Sequence, residues 1–123
     1  MILQRIGYWG DERDGFPRPE QLVDTNWAEE ERDDVAIYLM HGLVAAGYMG
    51  YAFCRMCGEQ LGNLELTDGV FAWPEGLDHY LWSHGVRLPA WFVEHVRSMM
   101  DTLEDASISD DRWKQYAVEV MYG

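Results

Sequence analysis

The sequence predicts a small α+β domain in which helices pack on one side of a short antiparallel sheet. Apolar residues recur at helical spacing after Pro89 and again after Ser109, which predicts two helices near the C-terminus. Apolar stretches at 61–66 and 70–73 flank an Asp-Gly pair, which is typical of a tight hairpin turn. A Cys-x-x-Cys turn precedes this hairpin, and the order of turn, hairpin and helix indicates a zinc-finger-like core.

Length and composition bound the domain organisation. The chain has 123 residues, of which 48% are apolar, and its six Trp and seven Tyr suffice for the core of one domain. Gly and Pro residues interrupt the chain at 10–19, so we expect no helix there. We therefore predict an extended N-terminal arm at 1–21, with a short strand at 2–6, and a single zinc-stabilised α+β domain at 22–123.

The first predicted helix follows the arm. Asn26 is a good N-cap, and acids at 29–31 lie in the first turns, where the helix dipole favours negative charge. We expect this helix to end near Gly42. The next segment, 43–53, fits either a helix or a strand, and its glycines and aromatic residues favour a strand that leads into the Cys-x-x-Cys turn.

Two later helices are predicted to begin at prolines, since the missing N–H of Pro is harmless in the first turn of a helix. Pro74 opens the first of them, and Gly85 ends it. Pro89 opens the second, in which apolar residues recur at helical spacing, namely Phe92, Val96, Met99 and Leu103. A polar break at 105–111 precedes a last short helix that contains Trp113, Tyr116, Ala117 and Val120.

The two cysteines of the chain and two of its four histidines have the types and order of metal ligands. Two residues separate Cys54 from Cys57, 21 separate Cys57 from His79, and four separate His79 from His84. Two thiolates and two imidazoles form the ligand set of a closed, tetrahedral zinc site. Because four protein ligands leave no position for a water molecule, the predicted Zn²⁺ is structural, and hydrolytic catalysis is not implied.

The sequence leaves other interpretations of this motif open. His41 or His95 could replace one ligand, or the cysteines could be buried free thiols beside ordinary histidines. A redox pair would need a thioredoxin-like βαβ pattern, which the sequence lacks. Residues i and i+5 of a regular helix point ~140° apart, so we expect the helix to loosen at Gly85 and bring His84 round.

A resemblance points to the same ligands. The strings at 54–58 (CRMCG), 67–69 (TDG), 73–77 (WPEGL) and 86–89 (VRLP) are similar to those of a group of small bacterial proteins. In that group a CxxCG turn precedes a TDG…WPEGLxHY…HxVRLP stretch, and the resemblance covers about residues 51–96. It implies that the two cysteines and the two histidines act together, and it brings no activity with it.

The net charge limits the class of partner. With 22 acidic against nine basic residues, the net charge is −13, whereas a protein that binds nucleic acid directly needs a basic surface. No run approaches the ~18 apolar residues of a membrane span, and the first ten residues lack the features of a signal peptide. We therefore expect a cytoplasmic protein whose partner is a basic protein.

The acidic residues concentrate in two segments, 24–34 and 101–111, which could complement the basic cleft of a nuclease. We predict a non-enzymatic inhibitor or immunity-type protein, or a phage anti-defence protein. The alternative is a zinc-stabilised adaptor or regulatory subunit that binds its protein partner through an aromatic surface, and an enzyme is the third hypothesis. The predicted partner-binding residues are Glu30, Glu31, Asp33, Asp34, Trp82 and Trp91.

Overall fold

Four helices and one four-stranded sheet make up the fold, as seen in a computed structural model that describes residues 1–11 and 13–123. Glu12, in the predicted arm, lies outside the described residues. The predicted α+β class is confirmed. The elements are β1 (Gln4–Arg5), α1 (Glu29–Met40), β2 (Leu43–Phe53), β3 (Gln60–Thr67), β4 (Phe71–Pro74), α2 (Leu77–His84), α3 (Ala90–Glu104) and α4 (Asp111–Tyr122), with a 3₁₀ turn at Pro19–Leu22 before α1.

The strand order of the sheet is β1-β4-β3-β2. The pairs β2–β3 and β3–β4 are antiparallel, as predicted. The turn between β3 and β4 forms because Gly69 adopts a φ of 93° and the Asp68 carboxylate accepts the N–H groups of Val70 and Phe71. β1 departs from the antiparallel expectation: it runs parallel to β4, because the arm reaches this edge of the sheet without a hairpin.

The segment 43–53 forms β2, the edge strand, so the preference for a strand is confirmed. Its pairing with β3 is interrupted in the middle: Gly47 is opposite Leu64 and Ala52 is opposite Gly62. The four residues 48–51 of β2 are therefore opposite the single residue Asn63 of β3, and they form a bulge. Met49 at this bulge is fully exposed, so the outer edge of the sheet is apolar and open.

The start of α1 differs from the prediction. The helix begins at Glu29, with Ala28 as its N-cap, and not after Asn26. The reason is a turn closed by Asp24, whose side chain accepts the N–H of Asn26 at 2.9 Å and whose carbonyl accepts the N–H of Trp27 at 3.3 Å. Asn26 is thus used within a turn and cannot cap the helix.

The start of α2 also lies later than predicted. Pro74 ends β4, where it pairs with Glu65, and α2 begins at Leu77. Gly76 links the two elements with a φ of 93°, and a Cβ at this position would lie 2.6 Å from the Cβ of Leu61. Only glycine meets both requirements. A strand, a left-handed glycine and a helix therefore follow one another within a few residues.

The core lies between the sheet and α1, α2 and α3. Trp73 of β4 is 1% exposed, and its indole N–H donates to the carbonyl of Leu39 in α1 at 3.0 Å. Its ring lies 6.1 Å from that of Tyr38 in α1 and 6.2 Å from that of Phe92 in α3. This single side chain therefore joins the sheet to two helices, while Leu77 and Leu81 bury α2 against the same core.

A buried carboxylate fixes the N-terminal segment to the sheet. Glu65 of β3 is 6% exposed and accepts hydrogen bonds from the guanidinium of Arg5 at 2.8 Å and from the hydroxyls of Tyr8 and Tyr48. Burial raises the pKa of Glu65, but the hydrogen bonds from Arg5 and Tyr8 outweigh it, and the pKa of the carboxyl lies below its usual value. Glu65 is therefore ionised at neutral pH and holds β1 in place.

Candidate metal centre

The fold brings the four predicted ligands into one cluster. The ligand atoms of Cys54, Cys57, His79 and His84 all lie within 4.8 Å of one another. Cys54 Sγ is 3.4 Å from His84 Nε2, and Cys57 Sγ is 3.3 Å from His79 Nε2. Each thiol is thus paired with one imidazole, and the four atoms surround a common centre.

The cysteines are presented by a tight turn between β2 and β3. The N–H of Gly58 donates to the carbonyl of Cys54 at 2.7 Å, and the N–H of Cys54 donates to the carbonyl of Glu59 at 2.7 Å. Gly58 adopts a φ of 79°, which a residue with a side chain rarely does. The N–H of Arg55 donates to the hydroxyl of Tyr80 at 2.9 Å, so this turn is also tied to α2.

The histidines lie near the two ends of α2. His79 is its third residue and His84 is its last, with their ring centroids 5.1 Å apart. The helix is regular up to His84 and ends at Gly85, which adopts a φ of 67°. The N–H of Val86 then donates back to the carbonyl of Tyr80. Gly85 therefore terminates the helix after His84. The predicted loosening of the last turn is absent, because the two histidine rings approach each other on a regular helix.

The geometry fits a tetrahedral ion held by two sulfurs and two nitrogens. Metal–sulfur and metal–nitrogen bonds of ~2.3 and ~2.0–2.1 Å place tetrahedral ligand atoms roughly 3.3–3.8 Å apart. The two sulfur–nitrogen distances of 3.4 and 3.3 Å lie in this range. The other separations are at most 4.8 Å, so the ligand atoms would move closer together around a bound ion. All four positions of a tetrahedral ion would then be filled by protein.

Two residues outside the ligand set orient His79. Its Nδ1 lies 3.3 Å from a carboxylate oxygen of Glu59 and 3.3 Å from the hydroxyl of Ser83. A partner at Nδ1 fixes the ring so that Nε2 is directed toward the other ligand atoms and would be free to bind a metal. The sequence analysis missed both residues. Ser83 could have been found, because it is four residues after His79 and so lies beside it on the helix surface.

The site lies at the edge of the core. Cys54 is buried among apolar side chains, whereas Cys57 is exposed and both histidines are half-buried. An ion bound here would join the β2–β3 turn to α2, which belong to different layers of the fold. The arrangement is that of a cross-link between elements and leaves no open coordination position for a reaction.

The two remaining histidines are engaged elsewhere. His41 Nδ1 lies 2.7 Å from the carbonyl of Ile37, and His95 Nε2 lies 2.7 Å from the carboxylate of Asp68. The same carboxylate accepts the hydroxyl of Tyr38, so that His95 belongs to a group that holds the hairpin turn against α1 and α3. Neither His41 nor His95 lies in the cluster of ligand atoms.

The four predicted acidic partner-binding residues fall into two pairs. Glu30 and Asp34 are exposed. Glu31 and Asp33 are half-buried and already have partners in this chain. Glu31 accepts a hydrogen bond from Arg97 of α3 at 2.6 Å. Part of this difference depends on distant residues, since Arg97 and Trp82 are 66 and 49 positions from Glu31 and Asp33.

The two predicted tryptophans lie on different elements. Trp82 of α2 is 40% exposed, and its indole N–H donates to Asp33 at 2.9 Å, so these two predicted residues are neighbours. Trp91 of α3 is 56% exposed and stacks on Phe71 of β4, with ring centroids 5.7 Å apart. The structure brings Trp82 to the acidic helix and places Trp91 against the sheet.

Comparison of the chain with protein-family models, with curated proteins and with solved structures gives no match. The resemblance to small bacterial proteins with a CxxCG turn therefore stays a prediction. Among the helices of the described residues, none combines the length and the apolar character that crossing a membrane requires.

Proposed function

We propose that the chain is a zinc-stabilised, non-enzymatic binding protein that inhibits a basic protein partner, most concretely a nuclease. The observation that carries this proposal is the closed ligand set: Cys54, Cys57, His79 and His84 would occupy every position of a tetrahedral ion. Such a centre stabilises a fold and leaves function to the surface. The surface is strongly acidic, since the chain has a net charge of −13.

The donor chemistry supports zinc as the metal. Thiolates disfavour Ca²⁺ and Mg²⁺, which prefer oxygen ligands. A tetrahedral set of two sulfurs and two nitrogens is typical of zinc. Zinc would supply folding free energy at this site, because the unfolded chain does not hold the four ligands together. His79 and His84 would bind the same ion as the cysteines and thereby connect α2 to the β2–β3 turn.

The exposed acidic residues of α1 support the choice of a basic partner. Glu30 and Asp34 are four residues apart and therefore neighbours on one face of the helix. In the described part of the chain neither residue belongs to an ion pair. Like charges at this spacing destabilise a helix by roughly 0.2–0.5 kcal/mol. A partner with complementary basic residues would offset this cost when it binds.

An inhibitor of a nuclease is the form of binding protein that best uses such a surface. The cleft of a nuclease must be basic to hold the phosphate backbone, and an acidic helix face competes for the same groups. Charge complementarity also accelerates association, which an immunity or anti-defence protein needs in order to act before its target does. An immunity-type or phage anti-defence role therefore follows from the same charges.

The products of the genes that flank this chain's gene supply the candidate partners. We expect one basic product to lose its DNA-cleavage activity when the zinc-loaded protein is added in equimolar amount. The association rate constant should fall by about tenfold or more between low and high salt, because salt screens exposed charges. Glu30→Gln/Asp34→Asn should slow association several-fold at low salt. The double variant Glu20→Gln/Glu94→Gln removes the same charge from other exposed positions and should change the rate little.

Two results would contradict this proposal. One is that no basic flanking product binds the zinc-loaded protein. The other is an association rate that does not depend on salt. The second result would favour the adaptor function, for which Trp91 is the specific observation, since it is 56% exposed and already stacked on Phe71. Trp91→Ala would then abolish binding, because exposed tryptophans are common anchors of interfaces.

A further inference from the structure

The last helix has no partner in this chain. None of the residues of α4, Asp111–Tyr122, is buried. Trp113 is 71% exposed, and the hydrogen bonds and ion pairs of the described α4 residues stay within the helix and the linker before it. Four of its apolar residues nevertheless form one stripe, because Trp113, Tyr116, Ala117 and Val120 recur at helical spacing. A helix of 12 residues is marginal in water unless such a stripe is covered.

The apolar stripe of α3 also continues beyond the core. Phe92 and Val96 at its start are buried, while Leu103 one helical repeat further on is 71% exposed. Ile108 in the linker is fully exposed. These residues and the stripe of α4 are called the C-terminal surface, which consists of Met99, Leu103, Ile108, Trp113, Tyr116, Val120 and Met121.

The total accessible area shows how much surface lacks a cover. A folded monomer of 14.3 kDa is expected to expose about 6,800 Å². This chain exposes 8829 Å², which is an excess of roughly 2,000 Å². Obligate homodimers bury about 1,000–2,500 Å² on each chain, whereas exchangeable complexes of standard size bury about 800 Å². The excess belongs to the whole chain, including the exposed edge strand β2, and its total is as large as one chain's share of a permanent interface.

We propose that a second copy of this chain covers the C-terminal surface and forms an obligate two-fold dimer. The composition of the surface fits this occupant, because Trp, Tyr and Met are enriched in the cores of interfaces and homodimer interfaces are more apolar than exchangeable ones. A second copy is present as soon as the chain is made, so the surface is never left open. Each α4 would pack against the other copy, since a two-fold interface uses the same residues of both chains.

Charge gives the dimer a signature that differs from binding to a basic partner. The segment 101–123 has six acidic residues but only Arg112 and Lys114 as bases. Two such segments repel each other, and salt screens this repulsion. Dimer formation should therefore strengthen as salt rises, whereas association with a basic nuclease should weaken. The dimer does not depend on the proposed inhibitor function, and the two can fail separately.

The test is sedimentation equilibrium of the full-length, zinc-loaded protein at low and moderate salt. Concentrations on the order of 1 to 100 µM are used, because this range separates tight from weak dimers. The wild type should sediment at twice 14.3 kDa. Val120→Glu places a charge in the stripe and should raise the dimer dissociation constant by more than about a hundredfold, as a buried unpaired charge does. Gln115→Glu adds the same charge to the opposite face of α4 and should leave the dimer intact.

Zinc content shows whether the core of each variant is folded. It should be unchanged in Val120→Glu, because α4 contributes no buried residue to the core. A wild type that is monomeric at about 100 µM would overturn the proposal, because this concentration exceeds the dissociation constant of an obligate dimer. The C-terminal surface would then be assigned to a foreign partner. A dimer that persists in Val120→Glu, or one that is lost equally in Gln115→Glu, would also overturn it.

Discussion

The substitution Cys57→Ser is expected to release the bound metal and to lower the melting temperature by about 10 °C or more. Cys57 is exposed, so replacing its sulfur by the smaller oxygen of serine leaves no cavity in the core. The loss of stability then reports the loss of the ion, since the free energy of metal binding is also free energy of folding. A loss of roughly 3–5 kcal/mol corresponds to such a shift for a domain of this size. Elemental mass spectrometry and a thermal melt measure the two effects.

The matched control for this variant is Arg55→Ser. Arg55 lies in the same turn, its side chain is exposed, and only its backbone N–H makes the hydrogen bond to Tyr80. It should keep the metal and melt like the wild type. A chelator should bring the wild type down to the melting temperature of Cys57→Ser and leave that variant unchanged. Retention of the metal by Cys57→Ser, or an unchanged melting temperature, would contradict a structural role.

The substitution Trp73→Ala should cost about 3–5 kcal/mol of unfolding free energy, the range found when a large core aromatic residue is truncated. Trp73 is 1% exposed and packs against Tyr38 and Phe92. Its removal also leaves the carbonyl of Leu39 without the indole donor, which adds the cost of an unsatisfied buried acceptor. Urea unfolding of the zinc-loaded protein, followed by circular dichroism, measures the change.

Trp91→Ala makes the same chemical change at an exposed position. Trp91 is 56% exposed, so it should lose less than about 1 kcal/mol, mainly from its stacking on Phe71. Equal losses in the two variants would contradict the assignment of Trp73 to the centre of the core. A larger loss in Trp91→Ala would do so more strongly, and it would move the centre of the core toward Phe71, on which Trp91 stacks.

Local chemistry explains what could be predicted from the sequence. The hairpin turn follows from Asp68 and Gly69, whose conformational preferences act within a few residues. The metal cluster was predictable because its ligand types are few and its cysteines share one turn. The end of α2 was predictable for the same reason, since Gly85 terminates the helix through its own backbone conformation.

The features that the sequence could not predict depend on distant residues. Asn26 is a good N-cap by type, yet Asp24 uses it in a turn. Parallel pairing of β1 with β4 joins residues more than 60 positions apart. Nothing in the sequence of α1 indicates that Glu31 is neutralised by Arg97 while Glu30 is free to face solvent. The helical pattern after Pro89 was visible, but its division into a buried start and an exposed end was not.

The most direct test of the central claim is the metal content of the purified full-length protein, combined with X-ray absorption at the zinc edge. The four clustered ligand atoms predict one zinc per chain with two sulfur and two nitrogen neighbours. The expected distances are ~2.3 Å to sulfur and ~2.0–2.1 Å to nitrogen. Protein without zinc, or zinc bound to oxygen ligands in place of the thiolates, would contradict the account.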